Sequence, residues 1–238
     1  MEKMYILLTN TGTNLSKIIK SYTKEPYNHA SISFTSDLSE LYSFGRKTPN
    51  NPLDGGFVKE NIYFGTYRKY PETTCALYEI EVTKRQKEKM IRMIKLFQKN
   101  ESFYFYNFIG LFGVVFNEPI NRESSYFCSQ FVATVFKEAG IYLWEKEPGL
   151  LTPTDLSRAK ELNPLYEGKL YEYPPIRCNP IIHAPVNFEK SLTKDFIYPT
   201  KRTLCTIIYR NPDYSFKNEF LKSKKDYFLE KVKLNWRF

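Results

Sequence analysis

The sequence has few of the residues that build metal sites or disulfide frameworks. Its 238 residues include only two histidines and four cysteines, and no two cysteines form a C-x-x-C pair. Neither a zinc site nor a disulfide scaffold is therefore indicated, and we expect no metal and no cofactor. The two histidines are His29 and His183, and the four cysteines are Cys75, Cys128, Cys178 and Cys205.

The sequence also lacks a long hydrophobic run and a recognisable secretory signal. Its longest apolar stretch, residues 104–116, is shorter than the roughly 20 residues of a membrane-spanning helix, and we expect a buried helix there. The apolar N-terminus has no basic segment before it and no small-residue cleavage site after it, which favours a first β-strand over a signal peptide. We therefore expect a cytoplasmic protein.

Basic residues outnumber acidic ones by 35 to 26, which gives a formal charge of +9. Residues 189–238 contain 12 basic and 6 acidic side chains. We expect a domain over 1–185 and a basic C-terminal extension over 186–238, packed on the same domain. Such a tail suits an anionic polymer or a membrane surface. Nucleic acid is not an expected partner because no nucleic-acid-binding motif is present.

The order of predicted elements indicates an α+β fold, in which a small antiparallel sheet packs against helices. The strands are expected near 4–8, 29–34, 40–44 and 75–82, with a long glycine- and proline-containing loop over 45–56. Periodic apolar residues predict helices over 84–99 and 128–139, and a Thr152-Pro153 start predicts another. Further helices are expected at 15–22 and 216–233.

Cys128 lies at the predicted start of an amphipathic helix. Unpaired backbone N–H groups and the helix dipole stabilise negative charge there, so the pKa of a thiol falls towards neutrality. The thiolate is the nucleophilic form of cysteine. Cys128 is therefore our candidate nucleophile, although cysteine is also among the residues most often buried for packing alone.

His29 begins a predicted strand and is our candidate general base. A histidine beside a cysteine activates the thiol and then delivers a proton to the leaving group. A third polar residue should orient the imidazole. If the hairpin loop has an odd number of residues, Ser43 shares the face of His29, whereas an even number selects Glu40. We take Ser43 as the orienting residue and keep Glu40 as the alternative.

Four ordered motifs resemble a known family of enzymes. They are Asn28-His29-Ala-Ser-Ile-Ser, then Leu41-Tyr42-Ser43-Phe44-Gly45, then Tyr126-Phe127-Cys128-Ser129-Gln130-Phe131-Val132, and finally Thr152-Pro153-Thr154-Asp155-Leu156. Together they are similar to the circularly permuted papain-like branch of the NlpC superfamily, the YiiX-like group related to lecithin–retinol acyltransferase. The resemblance covers residues 4–160.

The resemblance implies a permuted papain-like fold with a Cys128 nucleophile and a His29 base. It also implies a glutamate on the strand after the histidine, where this sequence has Ser43. The expected activity is that of a cysteine hydrolase of the amidase or peptidase kind, acting on a peptide, amide or acyl-ester substrate. Two alternatives stay open: a lipid acyltransferase or esterase on the same fold, and an inactive binding module that uses the basic tail.

Overall fold

A six-stranded antiparallel sheet forms the centre of the computed structural model, which describes residues 1–12, 25–48, 51–108, 110–111, 114 and 117–179. Its strands are β1 (Glu2–Asn10), β2 (His29–Ser33), β3 (Leu41–Thr48), β4 (Asn51–Glu60), β5 (Thr74–Val82) and β8 (Asn163–Lys169). Their order across the sheet is β4-β3-β2-β1-β5-β8. Two short parallel strands, β6 (Phe105–Tyr106) and β7 (Ser125–Tyr126), form a separate pair.

Helices cover both faces of this sheet. They are α1 (Gly65–Lys69), α2 (Lys84–Lys99), α3 (Cys128–Glu138), α4 (Pro153–Leu156) and α5 (Pro174–Arg177). Helices α2 and α3 pack on one face over the larger apolar cluster, while α1 and α5 pack on the other over a smaller cluster. The expected α+β class with an antiparallel sheet is therefore confirmed.

The helix starts and ends follow the local sequence rules. Thr83 caps α2 through Gln86, and Thr152 caps α4 through a reciprocal pair of hydrogen bonds with Asp155. Gly140, directly after the end of α3, has a φ of +80°, the left-handed conformation that glycine adopts without strain. The predicted helices over 84–99 and 128–139 are confirmed within one residue.

The predicted long loop over residues 45–56 is wrong. The chain instead continues β3 to Thr48 and returns along β4, so that Gly45 pairs with Gly56 across the hairpin. Glycine is required here because the segment before β7 lies directly on these strands. A Cβ added to Gly55 would be 2.7 Å from the Cβ of Tyr106, and one added to Gly56 would be 2.5 Å from the Tyr104 carbonyl oxygen. In the sequence these glycines suggest a loop, but in the structure they leave space for the segment that contains Tyr104 and Tyr106.

The apolar stretch over residues 104–116 does not begin as the predicted helix, because Phe105 and Tyr106 form β6. Phe108, Gly110, Leu111 and Val114 are helical, and the residues between them lie outside the described part. Within the described ranges, no helix has the length and apolar character needed to cross a bilayer. The helices predicted over 15–22 and 216–233, the extension 186–238, His183 and Cys205 also lie outside the described residues.

Candidate active site

Cys128 is the first residue of α3, as its position in the sequence predicts. The helix begins there because Phe127 is extended and its N–H donates to the Gln130 side chain at 3.3 Å. Gln130 is held in turn by a 3.0 Å hydrogen bond to Asn121. Cys128 is only 3% exposed, and its neighbours Phe131 and Val132 anchor α3 in the larger apolar cluster.

His29 is the first residue of β2 and lies close enough to Cys128 for its imidazole to lower the pKa of the thiol. Strand alternation places Ala30 in the cluster beneath α3 and turns His29 and Ser31 away from it. His29 is at the end of its strand, next to the start of α3. A Cβ on Gly45 would lie 3.4 Å from the His29 Cε1, so β3 lies within contact distance of the ring.

Glu60, the last residue of β4, is the carboxylate that binds the imidazole. Its Oε1 lies 2.7 Å from His29 Nε2, and the two side chains are only 13% and 19% exposed. The other ring nitrogen, Nδ1, is thereby left for the Cys128 sulfur. The imidazole of His29 thus interacts with both the Cys128 sulfur and the Glu60 carboxylate.

Two hydroxyl groups fix the second oxygen of Glu60. Ser31 donates to Oε2 at 2.5 Å, and Tyr67 from α1 donates to the same oxygen at 3.1 Å. Tyr67 is buried in the smaller apolar cluster with Leu41 and Ile62. Because both oxygens of the Glu60 carboxylate accept hydrogen bonds, the group has little freedom to rotate. Glu60 therefore presents a fixed acceptor to His29.

The orienting residue predicted from the sequence is corrected from Ser43 to Glu60. Register pairs Ser33 with Leu41, so odd-numbered residues share a face and Ser43 does lie on the His29 side. Its hydroxyl, however, donates to the Ala30 carbonyl at 2.7 Å and ties β3 to β2. The alternative, Glu40, is exposed at the turn, where its backbone pairs with Phe34.

The electrostatics of the site favour a thiolate–imidazolium pair. Burial alone lowers the pKa of His29, but the Glu60 carboxylate and the Cys128 sulfur outweigh it and raise the pKa to about 10. Burial likewise raises the pKa of Cys128, but the His29 ring and the N–H groups of Ala30 and Ser129 outweigh it, so the pKa of the thiol is lowered. Cys75 shows the contrast, because burial without a cation raises its pKa to about 12.

Tyr106 of β6 lies against Cys128. Its hydroxyl is close enough to the Cys128 sulfur and to the Cys128 backbone N–H for both groups to affect the pKa of the phenol. Burial, followed by the neighbouring sulfur, raises the pKa of Tyr106 well above its usual value. The phenol therefore stays protonated and remains a hydrogen-bond donor beside the start of α3.

Sequence reasoning missed Glu60, Tyr106 and the supporting pair Ser31 and Tyr67. The aromatic and β-branched residues Phe57 and Val58, directly after two glycines, were the available signal for a strand that would carry Glu60 into the sheet. Tyr106 had no comparable signal, since it lay inside an apolar stretch that suggested a helix.

The comparisons with known proteins do not identify a family for this chain. Neither a scan against protein families nor a search of curated proteins finds a match. Within the described ranges, no cluster of three or more His, Cys, Asp or Glu side chains could hold a metal ion.

Glu60→Gln should weaken the imidazolium. Glu60 is the main cause that raises the His29 pKa, so we expect the pKa of His29 to fall when the carboxylate is removed. His29 protonation stabilises the fold fully below its unfolded pKa, and this contribution disappears as the pH rises through the raised pKa. The Glu60 carboxylate, whose pKa is lowered, contributes only above its own unfolded pKa. The loss of unfolding free energy in Glu60→Gln should thus be largest between about pH 5 and 6.5 and shrink towards pH 10.

Thermal unfolding at several pH values and an NMR titration of His29 measure these two effects. Glu40→Gln is the matched control, because it removes an exposed carboxylate from the turn before β3. It should leave both the His29 titration and the pH dependence of stability unchanged. A His29 pKa equal in Glu60→Gln and the wild type would contradict the assignment of Glu60 as the positioning residue.

Proposed function

We propose that this protein is a cysteine-dependent hydrolase of the amidase or peptidase kind that forms an acyl-enzyme on Cys128. One observation supports this above all: the thiol of Cys128, at the start of α3, interacts with the imidazole of His29, whose Nε2 lies 2.7 Å from a buried carboxylate, Glu60. A nucleophile, a base and a residue that orients the base are the three parts that acyl transfer through a thiol requires.

In the first half of the reaction, the Cys128 thiolate attacks the carbonyl carbon of an amide or ester. A C–S bond forms and the carbonyl oxygen becomes an oxyanion. The Cys128 N–H and the Tyr106 hydroxyl lie together beside the sulfur, and we assign them as the donors that stabilise this oxyanion. As the tetrahedral intermediate collapses, the His29 imidazolium gives its proton to the departing nitrogen or oxygen.

In the second half, the neutral His29 takes a proton from water as that water attacks the thioester carbon. The C–S bond breaks, the acid product leaves, and His29 again carries the proton beside a Cys128 thiolate. The Glu60 carboxylate keeps the ring orientation through both halves and favours its charged form, because it accepts from Nε2 throughout. One water is consumed, and no oxidant or reductant is required.

The order of the groups along the chain supports a permuted papain-like arrangement. The histidine strand precedes the cysteine helix, and an antiparallel sheet packs against that helix. The four sequence motifs that resemble the YiiX-like group agree with this proposal. The carboxylate departs from that pattern, because it comes from β4 rather than from the strand directly after the histidine.

Acylation by an activated ester tests the proposal without knowledge of the natural substrate. With nitrophenyl acetate we expect a burst of nitrophenolate equal to the enzyme concentration, and an acetyl adduct on Cys128 in the intact mass spectrum. Cys178→Ser is the matched control because Cys178 is an exposed free thiol, and this variant should retain the burst. Absence of the adduct on Cys128 in folded protein would contradict the hydrolase and favour an inactive binding module.

A lipid esterase or acyltransferase is the second candidate, and the surroundings of Tyr106 favour it. Phe105, the residue beside Tyr106, is 54% exposed. An exposed apolar side chain one residue from Tyr106 suits contact with an acyl chain. Hydrolysis rates for a phospholipid ester and for a water-soluble peptide amide, compared in the same preparation, would separate the two candidates.

A further inference from the structure

The solvent-facing side of α2 has an unusual composition. Six of its exposed side chains are basic, and Glu88 is the only acidic one exposed along the helix. Within the part of the chain that the structure describes, none of the six forms an ion pair. The six residues are Lys84, Arg85, Lys89, Arg92, Lys95 and Lys99.

Exposed apolar side chains lie among these basic residues and just beyond the end of the helix. Leu96 is 58% exposed although it lies in the helix between Arg92 and Lys99, and Phe103 is 62% exposed just after the helix ends. Spacing of three and four residues places Arg92, Leu96 and Lys99 in one stripe along the helix. We call the six basic residues, together with Leu96, Phe103 and Phe105, the α2 surface.

Phe105 is exposed because side chains alternate in direction over residues 104–106. Tyr104 packs on Phe97 with ring centroids 4.7 Å apart, and Tyr106 faces Cys128. Phe105, between them, therefore points towards solvent, and Phe103, at the end of the 3-10 turn Glu101–Phe103, is exposed as well. Phe105 thus connects the α2 surface to the candidate active site through a single peptide unit.

We propose that the α2 surface docks on an anionic lipid bilayer. The unpaired cations complement the negative headgroups, and each Lys or Arg near such a surface strengthens binding. The exposed Leu96, Phe103 and Phe105 enter the interface between headgroups and acyl chains, where large apolar side chains are stable. A soluble polyanion would explain the charges but not these three apolar side chains. The surface is distinct from the basic tail, and the proposal does not rest on the proposed catalytic activity.

Vesicle sedimentation with the full chain tests the docking. Wild-type protein should bind phosphatidylcholine vesicles that contain about 30% phosphatidylglycerol far more tightly than phosphatidylcholine alone. Reversing three charges of the α2 surface should weaken binding by roughly a hundredfold. The variant is Arg85→Glu with Lys89→Glu and Arg92→Glu. Its matched control reverses three exposed basic residues elsewhere, Lys137→Glu, Lys160→Glu and Arg177→Glu, and should bind nearly as wild type does.

A second variant tests the apolar contact. Phe103→Ser with Phe105→Ser should weaken vesicle binding by about tenfold, whereas Tyr142→Ser with Leu165→Ser, at exposed apolar positions elsewhere, should not. Phe105→Trp in the otherwise unchanged chain should show a blue shift of the added emission on anionic vesicles. This readout needs no destabilising substitution. Cys128→Ser should bind as wild type does, which separates the docking from the catalytic proposal.

Three outcomes would overturn the proposal. The first is no preference of the wild type for anionic vesicles, and the second is binding that survives the triple charge reversal. The third is a loss of binding on charge reversal without any effect of the phenylalanine variants and without an emission shift in bound Phe105→Trp. That third result would indicate a purely electrostatic contact, of the kind that a soluble polyanion makes, rather than docking into a bilayer.

Discussion

His29→Ala is expected to slow the iodoacetamide labelling of Cys128 at pH 6 by about tenfold or more. In the wild type the imidazolium lowers the pKa of the buried thiol. Without His29, burial is left as the dominant effect, and burial raises that pKa. A thiol of ordinary pKa is only about 0.3% ionised at pH 6, and its greater nucleophilicity recovers only part of this deficit. Peptide mass spectrometry across a pH series measures the rate at each cysteine.

The same labelling experiment contains its own controls. Cys75 is buried with a raised pKa, and Cys178 is exposed; neither rate should depend on His29. Ser43→Ala is the matched variant on the neighbouring strand, and it should leave the Cys128 profile unchanged because the Ser43 hydroxyl bonds to Ala30. If Cys128 in folded wild type reacts no faster than Cys178 at pH 6, the thiolate–imidazolium pair is wrong.

Tyr106→Phe is expected to slow acylation by an activated ester by about a hundredfold to a thousandfold. The substitution keeps the ring that packs at 4.6 Å from Phe108 and removes only the hydroxyl beside the sulfur. An oxyanion develops during acylation but not during alkylation by iodoacetamide. The labelling rate of Cys128 should therefore change by a few-fold at most, while the burst of nitrophenolate slows strongly.

Tyr104→Phe provides the matched control for this prediction. Tyr104 lies two residues earlier and packs in the aromatic cluster around Phe44 and Phe97. Loss of its hydroxyl should leave both acylation and alkylation near wild-type rates. Equal slowing of both reactions in Tyr106→Phe would instead indicate a distorted site and would remove Tyr106 from the oxyanion assignment.

The elements predicted correctly are those determined by local sequence. Helix α2 has an apolar stripe and a capping pair, Thr83 and Gln86, within a few residues of each other. The position of Cys128 at the start of α3 could be predicted in the same way. Gly140 marks the end of that helix, and the apolar stripe identifies its buried side. Such signals involve residues that are close together in the chain, so they can be recognised without knowledge of the tertiary structure.

The residues that sequence reasoning missed depend on contacts between distant segments. Glu60 reaches His29 only because β3 and β4 form a hairpin, and Gly55 and Gly56 within it are small to accommodate Tyr106 and Tyr104. A glycine pair near prolines has the local appearance of a loop. In the structure the two glycines are required because Tyr104 and Tyr106, about fifty positions later in the sequence, pack directly against them.

The order of the groups along the chain also affects how the protein is made. A ribosome completes β2, β3 and β4 before it adds Cys128, and domains begin to fold from the N-terminal side during synthesis. His29 and Glu60 can therefore meet on these strands before Cys128 has been added. Under the proposed mechanism, the Cys128 thiol becomes reactive only when α3 docks on the sheet. A chain in which α3 has not yet docked therefore exposes a cysteine of ordinary pKa.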